Sequence, residues 1–126
     1  MIEVIPAPDH VAAFRISGTL KAEDYDEMIP QIEEKLSQHE EIGVFVGMEG
    51  FEDMTGEAIR RDVKYGVDKL GELHRFGRAA IATDKQWIRA ATEFAAVLFP
   101  QIEAKVFSTE EEDKALSWAS GTEGSA

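Results

Sequence analysis

Ile42-Gly43-Val44-Phe45-Val46-Gly47-Met48, followed by Glu49-Gly50-Phe51-Glu52-Asp53-Met54-Thr55-Gly56, is the stretch on which the fold turns. Its first seven residues are almost continuously apolar, as a strand covered on both faces must be. Residues 49–56 then read as a loop leading into a helical pattern that begins near Glu57. A loop that leaves a central strand and enters a helix is where open α/β sheets place ligands and phosphates. This segment is therefore the first candidate for a working site.

Upstream, Ile2, Val4 and Ile5 predict a short strand, stopped by the turn-forming run Pro6-Ala7-Pro8-Asp9-His10. Val11–Ile16 predicts a second strand, and its closeness to the first implies an antiparallel hairpin at a sheet edge. Ser17-Gly18-Thr19-Leu20 is expected to turn the chain. A helix from about Ala22 to Ser37 follows from the stripe Tyr25, Met28, Ile29, Ile32 and Leu36. Pro30 inside that stripe costs a hydrogen bond and predicts a late start or a kink.

Downstream, Ile59, Val63, Val67, Leu70 and Leu73 predict a second helix with one apolar stripe. Gly66 and Gly71 each weaken it by roughly 1 kcal/mol relative to Ala. His74–Gly77 closes it, and Arg78–Ala82 is a short strand of mostly small residues. Asp84 is placed to cap a third helix that runs to about Phe99. That helix, with Trp87, Ile88, Phe94, Val97 and Leu98, is broadly apolar and expected to be well buried. Ile102–Phe107 is a fifth strand. Ser108 and Thr109, ahead of Glu111 and Glu112, offer two registers of a capping box for a last helix carrying Ala115, Leu116, Trp118 and Ala119.

The order β-β-α-β-α-β-α-β-α predicts a single α/β domain over residues 1–120. It is a five-stranded, mostly parallel sheet with an antiparallel edge strand and four helices, built from right-handed crossovers. Residues 121–126 are expected to form a flexible tail.

The chain has 126 residues, enough for one domain with a real core. Its formal charge of −12, from 13 basic and 25 acidic residues, opposes nucleic-acid binding and docking on anionic lipid by charge alone. The acid is uneven: residues 51–90 hold 8 basic and 7 acidic residues, leaving 5 basic and 18 acidic elsewhere. Cysteine is absent, which excludes thiolate catalysis and Cys-type zinc sites. No signal-like opening and no long apolar run occurs, so a cytoplasmic protein is the expectation, with peripheral membrane association compatible.

His10, His39 and His74 share no metal-ligand spacing, and the acidic runs lie on polar faces. No Gly-x-Ser-x-Gly, Walker or dinucleotide fingerprint is present. No enzyme activity, cofactor or metal is therefore expected.

Taken in order, the Asp84-Lys85-Gln86-Trp87-Ile88-Arg89 run after the fourth strand, Val106-Phe107 before the last helix, and its Ala115-Leu116-Ser117-Trp118 ending resemble the STAS fold of bacterial anti-sigma-factor antagonists. The nearer resemblance is to the SpoIIAA-like family of small bacterial proteins. Antagonists of that type carry an Asp-Ser-Ser-Gly motif after the third strand, phosphorylated on its first serine. Here the corresponding residues are Asp53-Met54-Thr55-Gly56, and the Met54 thioether cannot accept phosphate. SpoIIAA-like proteins have also been likened to domains that hold apolar ligands in a cleft under a movable helix. The resemblance thus implies either a lipid-like ligand or a protein partner.

Phe51, Met54, Thr55, Gly56, Ile59, Val63 and Trp87 are the candidate ligand-binding residues. Phe51 and Met54 form an adaptable apolar surface beside free helix amides, although the same residues would equally fill the core beneath the loop. Thr55 is the candidate phosphosite; its competing role is a helix N-cap. Trp87, near Lys85 and Arg89, could stack a ring or mark the edge of the core.

Overall fold

The computed structural model describes residues 1–121; the expected tail, Gly121 apart, lies outside the described residues. Strands β1 (Ile2–Val4), β2 (Val11–Leu20), β3 (Ile42–Met54), β4 (Phe76–Ala82) and β5 (Glu103–Phe107) form one sheet in the order β1-β2-β3-β4-β5. Only β1 and β2 pair antiparallel; the other neighbours are parallel. The helices are α1 (Tyr25–Gln38), α2 (Gly56–Asp68), α3 (Gln86–Leu98) and α4 (Glu112–Ser120). Short 3₁₀ turns precede α1 and α4 and follow α2. This is the expected α/β architecture.

Strand order explains how the helices are shared between the faces. Each of α1, α2 and α3 joins neighbouring parallel strands that advance in one direction, and right-handed crossovers put all three on the same face. The chain leaves β5 with no further strand to join, and α4 returns across the opposite face.

Alternation along the strands sorts the core accordingly. Ala12, Phe14 and Ile16 of β2 meet Tyr25, Met28, Ile32 and Leu36 of α1, whereas Val11 and Ala13 belong with Phe45, Phe107, Ala115, Trp118 and Ala119 on the α4 side. Gly43 and Gly47 of β3 flank Phe45 on that second face. A Cβ at Gly43 would run into the Ala119 carbonyl oxygen, and one at Gly47 would come 2.6 Å from the Glu112 carboxylate. Those two glycines let α4 lie close against the sheet.

Arg75 ties the segment after α2 to the end of α1. Its guanidinium donates to the carbonyls of Leu36, His39 and Glu40 and to the Glu72 carboxylate. A cation at a helix C-terminus meets carbonyls that have no partner within the helix.

Several local expectations are corrected. Residues 17–20 do not turn the chain, and residues 49–54 are not a loop: both extend β2 and β3. They pair with each other, Ser17 with Gly50 and Leu20 with Met54, across two register irregularities. Each Gly-containing segment disfavours a strand alone, and the ladder between them supplies the hydrogen bonds. The predicted second helix ends at Asp68, and Phe76, expected in its exit, opens β4 as a buried residue.

The helix of residues 22–37 becomes α-helical only at Tyr25, so Pro30 falls in its second turn. Asp84 does not cap α3: its carboxylate accepts from the Thr109 amide and hydroxyl, and Lys85 holds the cap position. Of the two capping registers, the structure takes the first, with the Ser108 amide donating to Glu111 at 3.2 Å. Finally, α3 is not well buried. Ile88 is its buried residue, while Phe94 and Val97 are 65% and 79% exposed.

Candidate functional site

The exposure of α3 has a counterpart across the molecule. On α2 the predicted stripe Ile59, Val63 and Val67 is also exposed, with Val63 and Val67 each at 57%. Between the two helices lies an open, largely apolar cavity of about 490 Å³. Its floor is the sheet, with Val46 and Met48 of β3, Ala79 and Ile81 of β4, and Ala104 of β5. One wall is α3, which contributes Trp87, Ile88, Ala91, Ala95 and Ala96. Ile59 and Asp62 of α2 and Tyr25 and Met28 of α1 line the other side.

Small side chains make this space. Ala79 and Ala104 below and Ala91, Ala95 and Ala96 beside it reach only to Cβ, so neither the sheet nor α3 fills the gap. The volume falls within the roughly 300–1,000 Å³ of small-molecule sites, which are likewise mostly apolar with a few polar groups.

α2 is tied to α1 by polar contacts. Ala58, Asp62, Tyr65 and Lys69 follow helical spacing along one stripe. The Tyr65 hydroxyl donates to Glu33 of α1 at 2.6 Å, and the Lys69 ammonium to the same carboxylate at 2.9 Å. Arg61 reaches Asp26 at 2.7 Å. Burial acts to raise the Glu33 carboxyl, but the Lys69 and Tyr65 hydrogen bonds outweigh it and leave its pKa lowered.

Asp62 is the charged residue on the cavity wall. Its side chain is exposed to water at the open side of the cavity, while the Tyr25 side chain and the lining lie against it. Burial pushes its carboxyl pKa up, and the hydrogen bond from the Tyr25 hydroxyl opposes this only in part. Burial and the facing Asp62 charge in turn push the Tyr25 hydroxyl well above its ordinary range, so it stays protonated. The Thr92 hydroxyl, also on the lining, donates to its own helix at Ile88 at 2.8 Å.

The predicted site residues separate into three groups. Met54, Ile59 and Trp87 line the cavity. Phe51 lies one layer behind, 4% exposed, with its ring centroid 6.0 Å from that of Trp87. Thr55 and Gly56 border a separate polar depression with Lys21, Glu23, Glu57 and Arg60. Thr55 is the N-cap of α2, its side-chain oxygen accepting from the Ala58 amide at 3.0 Å. Val63 stands on the open flank of α2 and is not part of the lining.

Sequence reasoning missed Asp62 and Tyr25. The available signal was a carboxylate in register with Ala58 and Tyr65, one step round the helix from the apolar stripe.

His10 and His39, placed in different turns, come together with ring centroids 6.4 Å apart, and His39 meets Asp9 at 2.8 Å. Among the described residues no group of three metal-ligating side chains gathers, and no helix is long and apolar enough to cross a membrane.

Comparison with curated proteins gives no significant match. Among solved structures, the chain is similar to an uncharacterised Shewanella loihica protein of the DUF3478 family, described as having a SpoIIAA-like fold. The two are 28% identical, with a TM-score of 0.67 over 94% of this chain and 92% of that one. The family model described as SpoIIAA-like matches residues 11–120. That match takes in β2 through α4 and every element around the cavity, and the chain belongs to the SpoIIAA-like family.

Proposed function

We propose that this protein is a non-enzymatic module that holds a small, largely apolar molecule in the cleft between α2 and α3. Family and fold support a non-catalytic regulatory or interaction module in general terms. The observation that carries the finer reading is the apolar cavity of about 490 Å³, flanked by helices whose apolar residues remain exposed. Uncovered apolar side chains at a cleft gain free energy when a ligand removes them from water, by about 25 cal/mol per Å². Met48, Met54 and Met28 add flexible, polarizable lining that adapts to irregular ligands.

Native mass spectrometry of freshly purified protein is expected to show an added small-molecule mass that organic extraction removes. The extracted protein should then take up the neutral fluorophore N-phenyl-1-naphthylamine, and Ala95→Phe, which fills the cavity, should abolish uptake while the fold is kept. Equal uptake by the two proteins would defeat this reading.

A second reading, a protein-interaction module of the antagonist type, draws on the polar depression where Thr55 sits beside Lys21 and Arg60. A phosphate on Thr55 would meet the α2 N-terminus and these two cations. Affinity capture with wild type, Thr55→Ala and Thr55→Glu as baits separates it from the first. A phospho-dependent partner should be lost or altered in the variants, and identical capture would remove the switch.

A further inference from the structure

Asp62 is an unusual group to find on this cavity wall. The surrounding lining is alkyl, thioether or aromatic, with the Thr92 hydroxyl already donating to the Ile88 carbonyl. The Tyr25 hydroxyl keeps its proton and lies on the same lining as the Asp62 carboxylate, which still offers acceptor atoms to the cavity. An acceptor on the wall of an apolar cleft favours a ligand that brings a proton donor, because the carboxylate has more lone pairs than the Tyr25 hydroxyl can satisfy. It disfavours a ligand carrying its own carboxylate, which would place two anions together.

Resting on the apolar-cleft reading, we infer that the occupant is an amphiphile whose head, an ammonium or a hydroxyl, is held at Asp62. Its hydrocarbon body lies along Ile81, Ala91 and Ala95. A tail that fills the cavity displaces water from the apolar side of such a head, and the charge-assisted hydrogen bond to Asp62 gains accordingly. The upward displacement of the Asp62 carboxyl fits this assignment, since burial penalises the charge that a donor head would satisfy. The same carboxylate separates this cleft from one built for free fatty acids, which needs a cation at the head position.

Three ligands with one tail test this: decylamine, decanol and decanoate, each displacing N-phenyl-1-naphthylamine from the extracted protein. Decylamine is expected to bind at least tenfold more tightly than decanoate, with decanol between them. Because the whole chain is acidic, two variants that each remove one negative charge locate the effect. Asp62→Asn should collapse the amine-to-carboxylate ratio to within about threefold. Asp68→Asn, on the solvent side of α2 where Asp68 pairs with Lys64, should leave the ratio unchanged.

If the fluorophore binds and all three heads displace it equally, or both variants behave alike, the head assignment is wrong while the apolar cleft stands. If neither fluorophore nor ligands bind the wild-type protein, both inferences fall.

Discussion

Against α4 the sheet presents Gly43, Phe45 and Gly47 from β3, and the helix closes onto them, its backbone at Gly43 and its Glu112 side chain at Gly47; against α2 and α3 the same strand presents Val46 and Met48 to a cavity of about 490 Å³. Both faces use small residues, with opposite results. On the α4 face the space over Gly43 is filled by the α4 backbone and that over Gly47 by the Glu112 carboxylate and the Phe45 ring, and Arg78 stacks on the Trp118 ring at 4.9 Å. On the other face Ala79, Ala104, Ala91 and Ala95 stand opposite one another with nothing between them. Interiors are normally packed to crystal-like density, and the face that departs from it is the one on which the proposed ligand cleft rests. The closed face is filled by the chain itself, and the open face leaves room for the proposed ligand.

The comparison breaks most readily at Gly43. Gly43→Ala puts a methyl group against the Ala119 carbonyl, a backbone atom that cannot yield without moving α4. A loss of about 3 kcal/mol is expected in urea unfolding, at the upper end for overpacking.

A matched pair of substitutions then tests the two faces with one chemistry. Ala115, on α4 and fully buried against the sheet, and Ala95, on the cavity, are both helical, so Leu costs each about the same in propensity. Ala115→Leu is expected to destabilise by roughly 1–3 kcal/mol. Ala95→Leu should stay within about 0.5 kcal/mol of wild type while weakening fluorophore uptake. Equal losses at the two sites would show that the cavity is closed in solution.

Tyr65→Phe probes how the open face is held. Removing the hydrogen bond to Glu33 should cost about 1 kcal/mol and speed amide exchange across residues 56–68. The Glu33 pKa is lowered on folding, so this tie is complete above its unfolded value and is lost as pH falls through the folded one. Acid should therefore loosen α2 in the wild type before the sheet unfolds.

The smallest effect concerns Asp62. Its carboxyl is raised on folding, so the native state holds the proton more tightly than the unfolded chain, and stability declines as pH rises through that window. Asp62→Asn removes this penalty. Its melting temperature should exceed that of wild type near neutral pH, and the gain should vanish below about pH 4, where both states are protonated.

Much of the architecture was legible residue by residue. Alternation in Val11–Ile16, the near-continuous apolar run 42–48 and the periodic stripe of α1 are local consequences of side-chain direction, and they place the strands and helices correctly. The site was legible only in part. Met54, Ile59 and Trp87 reach the cavity, but Phe51 packs behind it and Thr55 and Gly56 border a different depression. The 49–56 segment was misread as a loop because Gly, Glu and Asp are poor strand formers in isolation, and its partner, residues 17–20, was misread for the same reason. Each becomes a strand through the other.

What the sequence by itself determined is the order of elements and, through right-handed crossovers, the face on which α1, α2 and α3 lie. Tertiary structure alone decided how far each apolar stripe is covered. Periodicity says which side of a helix is apolar, whereas burial depends on the volume of the residues opposite it, here alanines drawn from β4, β5 and α3. The same arrangement turned Asp62 from one charge among several on α2 into the polar group facing an apolar cleft, because only the packed structure brings Tyr25, the sheet and α3 around it.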